Sequence, residues 1–168
     1  MLAGPQPKLT IMPALPALSL AVKPDWIDEY GHMNAAHYVG VFDRHGFELL
    51  GRFGVGSDYT RQTRCGIYTM NIHVAYRREV LAGDPLELRL RLLEADDKRL
   101  LCLMELIQAR DGYLAATMEQ LSLHVDLETR RAKPFPAEVA ARLAGAVQDH
   151  AQHPLPEGYQ RLLPLKRT

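Results

Sequence analysis

Between Gly66 and Leu127 the apolar side chains return at every second residue, which commits this stretch to extended strands. Tyr68, Met70, Ile72, Val74 and Tyr76 alternate with Thr69, Asn71, His73 and Ala75, the pattern of a half-buried strand. After a Gly83-Asp84-Pro85 turn, Leu86, Leu88, Leu90 and Leu92 alternate with Glu87, Arg89 and Arg91. Leu100 to Ala109 is apolar on both faces and reads as a central strand. Asp111-Gly112 is a hairpin signal. The last strand is expected to show one apolar face (Leu121, Leu123, Val125, Leu127) and one polar face (Gln120, Ser122, His124, Asp126). Strands joined by turns this short pair antiparallel.

Upstream the period changes to 3.6. Val39, Phe42, Gly46, Leu49, Leu50 and Phe53 share one helical stripe, with Asn34 placed as N-cap and Gly51, Gly54 and Gly56 as the end. Gly40 and Gly46 each weaken a helix by about 1 kcal/mol relative to Ala. Both are expected where the helix lies close against a sheet. A first strand spans Leu18 to Lys23, and after Pro134-Phe135-Pro136 a short helix carries Val139, Leu143 and Val147. The fold class is therefore α+β, one long helix packed on one antiparallel sheet. Residues 1–17 read as an N-terminal extension, 18–148 as the domain and 149–168 as an irregular, proline-containing arm.

The chain has 168 residues, enough for one domain with its own core. Twenty basic and twenty acidic side chains balance to zero, which argues against nucleic acid as a partner and favours self-association. No run is long and apolar enough to span a membrane, so no membrane partner is expected. Cys65 and Cys102 stand alone and read as reduced thiols of a cytoplasmic protein. His32 and His37 are five apart and do not share a helix face, so no metal is expected. His73 and His124 fall on strands, as surface or hydrogen-bonded residues.

Chemistry can sit in Asp28-Glu29-Tyr30-Gly31-His32-Met33-Asn34, where the first strand meets the N-terminus of the long helix. Unpaired N–H groups and the positive end of the helix dipole gather there and favour an oxyanion. Gly31 permits a sharp turn, and Asp28 can serve as nucleophile or general base, or simply cap a turn.

The run Asp28-x-x-Gly31-His32-Met33-Asn34-x-x-x-Tyr38 resembles the signature of hot-dog-fold acyl-CoA thioesterases of the 4-hydroxybenzoyl-CoA thioesterase type. Asn71 to Val80, leading into Gly83-Asp84-Pro85, resembles that family's second strand and turn. Ala35 departs from the second Asn or Asp that members often carry. The resemblance implies a hot-dog fold, a homodimer or dimer of dimers, and hydrolysis of an acyl-CoA with Asp28 as the catalytic carboxylate. The N–H of Gly31 or His32 is then the oxyanion donor, with His32 and Asn34 completing the catalytic set. No cofactor is implied, since coenzyme A belongs to the substrate. Trp26, Tyr30, Tyr38, Arg77 and Arg78 are the candidate substrate contacts. The arginines, with Arg61 and Arg64, suit the CoA phosphates. Trp26 and Tyr30 suit a quaternary ammonium, because a similar Trp-Ile-Asp run accompanies carnitine and betaine degradation in related enzymes. The alternatives are a hot-dog enoyl-CoA hydratase and a non-catalytic acyl-CoA-binding module.

Overall fold

The computed structural model describes residues 14–166; the leader before the first strand lies largely outside them. The chain runs β1 (Ala17–Ala21), a 3-10 turn (Pro24–Trp26), α1 (Ala35–Leu50), a second 3-10 turn (Gly51–Phe53) and α2 (Ser57–Thr63). It continues through β2 (Cys65–Tyr76), β3 (Pro85–Ala95), β4 (Arg99–Gln108), β5 (Tyr113–Asp126), β6 (Arg131–Ala132) and α3 (Ala137–His150). The antiparallel sheet has the order β1-β3-β4-β5-β2, with β6 hydrogen-bonded to the end of β5. It curls around α1 in the hot-dog arrangement.

α1 starts where expected. The Asn34 Oδ1 accepts the Ala36 N–H at 3.0 Å, satisfying one orphan donor of the first turn. Tyr38, Val41, Phe42, Leu49 and Leu50 then face the sheet. They meet Leu86, Leu88, Leu90 and Leu92 of β3 and Leu100, Cys102, Met104 and Leu106 of β4, all at or below 1% exposure. Of the two helix glycines, only Gly46 sits at a close approach, against Met104 of β4; a Cβ on Gly40 would meet nothing within 4 Å.

Two strand expectations need correction. β2 is not half-buried: Tyr68, Met70, Ile72 and Tyr76 are exposed. It is an edge strand, paired only with β5, and a bulge between Thr69 and Asn71 breaks the alternation. Nor does β5 have a solvated polar face, since Gln120, Ser122 and His124 are all buried. They lie on the face that curls over the helices and are satisfied internally. The Gln120 amide donates to Ser122 Oγ at 3.0 Å, and His124 lies 2.8 Å from the Tyr59 hydroxyl and 2.6 Å from the Lys133 carbonyl. Tyr59 belongs to α2, a helix of seven residues that no periodicity signalled.

The other sheet face is covered by the chain after α3. Leu163 and Leu165 pack on Leu101 and Leu121. Buried Arg91 donates to the carbonyls of His150, His153 and Pro154 at 3.1, 2.8 and 2.8 Å, tying the end of α3 and the start of the arm to the sheet. Its charge is balanced by Glu105 at 3.3 Å. Glu119, only 1% exposed, accepts the N–H groups of Leu162 and Leu163. The arm is irregular, as its prolines imply, but it is fixed by buried charge at both ends.

Candidate active site

Ile27 and Met33 form an isolated antiparallel bridge, which closes the segment between them into a small loop. Within it the Asp28 N–H donates to the His32 carbonyl at 3.1 Å and the Gly31 N–H donates to the Asp28 carbonyl at 3.0 Å. This is the pairing of a three-residue hairpin loop, which requires a left-handed residue at its last position. Gly31 supplies it, with φ of +85°. Because the Gly31 N–H takes the Asp28 carbonyl, the His32 N–H has no backbone acceptor among the described residues.

The Asp28 side chain is partly buried and doubly held. Its Oδ1 accepts the Tyr30 N–H at 3.0 Å and its Oδ2 accepts the Asn34 amide at 3.2 Å. Asn34 thus bridges the carboxylate to the helix it caps, and its own N–H donates to the Trp26 carbonyl at 2.9 Å. The Met33 N–H donates to the Val80 carbonyl and pins the loop to the segment after β2. Asp28, Gly31, His32 and Asn34 are therefore one hydrogen-bonded unit at the N-terminus of α1, where the dipole favours negative charge.

Beside this unit lies an open cleft of about 270 Å³ lined by His32, Met33, Ala35, Tyr38, Tyr76, Arg77, Arg78 and Glu79. The Tyr38 and Tyr76 rings meet edge to face at 5.4 Å, and the Tyr76 hydroxyl donates to the Ala35 carbonyl at 3.1 Å. Burial pushes the Tyr38 phenol above its usual range and keeps it protonated. His32 Nε2 stands 4.0 Å from a Glu79 carboxylate oxygen, and its ring stacks on Tyr30 at 6.2 Å. Arg78 lies over the Tyr113 ring at 4.0 Å, and Arg77 donates to the Gly158 carbonyl of the arm.

The candidate residues thus fall into two places. Tyr38, Arg77 and Arg78 share the cleft with His32. Trp26 stands apart from Tyr30: it stacks on His37 at 5.7 Å, and the Lys23 ammonium lies 5.4 Å from its ring. Arg61 and Arg64 belong to α2 and its C-cap, where Arg61 pairs with Asp58. Glu79 and Tyr76 were missed as cleft residues. The available signal was a carboxylate directly after two arginines at the end of a strand. Among the described residues no group of three or more His, Cys, Asp or Glu side chains is arranged to hold a metal, and no helix is long and apolar enough to cross a membrane.

A family profile described as the thioesterase-like superfamily matches residues 22–143. The chain is 34% identical to the betainyl-CoA thioesterase of Pseudomonas aeruginosa over 144 residues, covering 86% of this chain and 91% of that protein. It is 32% identical to the L-carnitine dehydrogenase/betainyl-CoA thioesterase of Rhizobium meliloti, spanning 98% of this chain but 33% of that longer protein. Among solved structures, a Staphylococcus aureus protein in complex with CoA superposes with a TM-score of 0.81 at 24% identity, covering 92% of this chain and 98% of that one. A Pseudomonas putida protein gives 0.71 at 31% identity, with 91% and 99% covered. The chain belongs to the thioesterase-like superfamily and is a hot-dog-fold acyl-CoA thioesterase.

Proposed function

We propose that this enzyme hydrolyses acyl-CoAs whose acyl group is cationic, of the betaine type, with Asp28 as the catalytic carboxylate. The observation that carries the catalytic assignment is the double hold on Asp28 by the Tyr30 N–H and the Asn34 amide, at the N-terminus of α1. Each carboxylate oxygen keeps a lone pair for the reaction. Asp28 either takes a proton from water as that water attacks the thioester carbonyl, or attacks the carbonyl itself to give an anhydride that water then opens. In both routes the C–S bond breaks and CoA leaves as thiolate, whose basicity is low enough to need little general-acid help. The His32 N–H, free of a backbone acceptor, is the donor for the oxyanion. Loss of one such donor typically costs about 2.7–4 kcal/mol of transition-state stabilisation.

The cleft, rather than the Trp26–Tyr30 pair, suits a quaternary ammonium. Tyr38 and Tyr76 offer aromatic surface, and Glu79 offers a carboxylate. Arg77 and Arg78 keep their charge while held by the arm carbonyl and the Tyr113 ring, so the cationic acyl group is placed against Tyr38, Tyr76 and Glu79 and the arginines are left to the CoA phosphates. The two relatives at 34% and 32% identity are named for betainyl-CoA, which supports the same substrate class. The protomers are proposed to pair through the exposed edge of β2, where Met70 and Ile72 stand uncovered. Thiol release measured across cationic, aliphatic and aromatic acyl-CoAs tests the reading. Betainyl-CoA is expected to give the highest kcat/KM, and Glu79→Gln to lower that value about tenfold while sparing an aliphatic substrate. Equal loss on both substrates, or no preference in the wild type, contradicts the cationic acyl group.

A further inference from the structure

A second cleft, of about 380 Å³, opens on another flank of α1 and is lined by Leu20, Ala21, Lys23, Trp26, His37, Gly40, Val41, Arg44 and His45. It contains no carboxylate. Lys23 and Arg44 carry fixed positive charge, and neither has an ion-pair partner among the described residues. His45 is shared with Glu48 at 3.3 Å, while His37 stacks its ring on Trp26. Two unbalanced cations in a concave site call for an anion, and guanidinium and ammonium groups both pair well with phosphate.

The helix itself supplies a second observation. Gly40 lies within the sixteen residues of α1, where glycine weakens the helix, and no packing reason accounts for it. The Cβ it lacks would meet nothing within 4 Å, in contrast to Gly46, which is pressed on Met104. What Gly40 does is keep the floor of this cleft bare. Leu20, Ala21 and Val41 add apolar wall, and the Trp26–His37 stack adds a flat one, so the site fits an organic molecule carrying the phosphate better than a bare ion. Its volume falls in the range of small-molecule sites.

We propose that this cleft binds the phosphate of a nucleotide-sized phosphorylated ligand, held by Lys23 and Arg44 against Trp26 over Gly40. The nucleotide end of CoA and an independent nucleotide share this chemistry. Trp26 is the one tryptophan of the chain, so its emission reports on this cleft without any need for turnover. Adenosine 3′,5′-bisphosphate and AMP, titrated separately into the wild-type protein, are expected to change that emission saturably. Arg44→Glu is expected to raise the half-saturating concentration at least tenfold. Gly40→Leu is expected to do the same with no fall in Tm, because it fills the cleft while improving the helix.

The source follows from kinetics on acyl-CoA and on the corresponding acyl-pantetheine. A KM rise in Arg44→Glu for acyl-CoA alone identifies the substrate's own nucleotide, and unchanged KM for both identifies an independent ligand. Absence of a saturable change with either probe, or binding unaltered in both variants, overturns the proposal. Neither result depends on which acyl group the enzyme accepts.

Discussion

The two glycines inside α1 should answer the same substitution in opposite directions. At Gly40 an added methyl meets no atom within 4 Å, so Gly40→Ala collects the full helix-propensity gain of about 0.8–1.0 kcal/mol. For a chain of this length that corresponds to a Tm rise of about 2–4 °C. At Gly46 the same methyl overlaps the Met104 sulfur, and the methyl carbon of Met104 lies 3.3 Å away. Met104 is 1% exposed and fully enclosed by the core, so it must take another rotamer at the expense of its neighbours. Overpacking of this kind costs about 1–3 kcal/mol, against the same propensity gain. The net effect of Gly46→Ala is a loss of up to about 2 kcal/mol, and Met104→Val in the same chain should recover part of it by coupling. Urea unfolding followed by far-UV circular dichroism measures all four proteins. Equal stabilisation by both Ala substitutions would mean that α1 is not pressed on β4 at Met104.

Arg91→Ala removes one member of a buried ion pair and three carbonyl contacts, and should cost about 3–5 kcal/mol in urea unfolding. Arg91→Met with Glu105→Met should recover part of that loss; a single-variant effect below about 1 kcal/mol contradicts the clamp. Stability should fall on mild acidification. His124 and His150 are held below the usual histidine range chiefly by burial, and His150 Nδ1 accepts the Leu92 N–H at 2.9 Å. The unfolded chain therefore binds protons that the folded one refuses. This stabilisation is complete above the unfolded value of about 6.5 and is lost as pH falls below it through the depressed folded values. Glu105, raised by burial, acts in the opposite sense, so the test is a flatter Tm–pH profile in His124→Gln and in His150→Asn than in the wild type. Profiles of equal slope would contradict it.

Element type was legible wherever one face met the core and the other met water. The Leu86–Leu92 alternation and the Asn34 cap both report such local conditions, and both stand in the structure. The β5 polar residues misled because their side of the sheet is covered by helices and the opposite side by the arm, neither of which β5 itself encodes. Tyr68, Met70 and Ile72 read as buried for the converse reason: an edge strand keeps the alternating pattern even where nothing within the protomer covers it. In the site, Asp28, Gly31, His32 and Asn34 were legible because they are contiguous and their geometry is set by one turn and one cap. Glu79 and Tyr76 reach the same cleft from the end of β2, a long-range placement that spacing does not carry. The separation of Trp26 from Tyr30 was hidden for a related reason. The loop between them reverses direction, so Trp26 lines the cleft beside His37 while Tyr30 stands exposed against His32.

If the Asp28 carboxylate performs the chemistry, single-turnover thiol release from betainyl-CoA should be fast in the wild type and collapse in Asp28→Asn. Asparagine keeps the size of the side chain and an acceptor for the Tyr30 N–H but sets an amide donor against the Asn34 amide, so Tm should fall slightly and folding is checked by circular dichroism. The rate should fall by about 10²–10⁴-fold, the usual contribution of a positioned base, with substrate affinity retained. A variant that folds, binds and releases thiol within about threefold of the wild-type rate would remove Asp28 from the mechanism, since a positioned general base typically contributes about 10²–10⁴-fold.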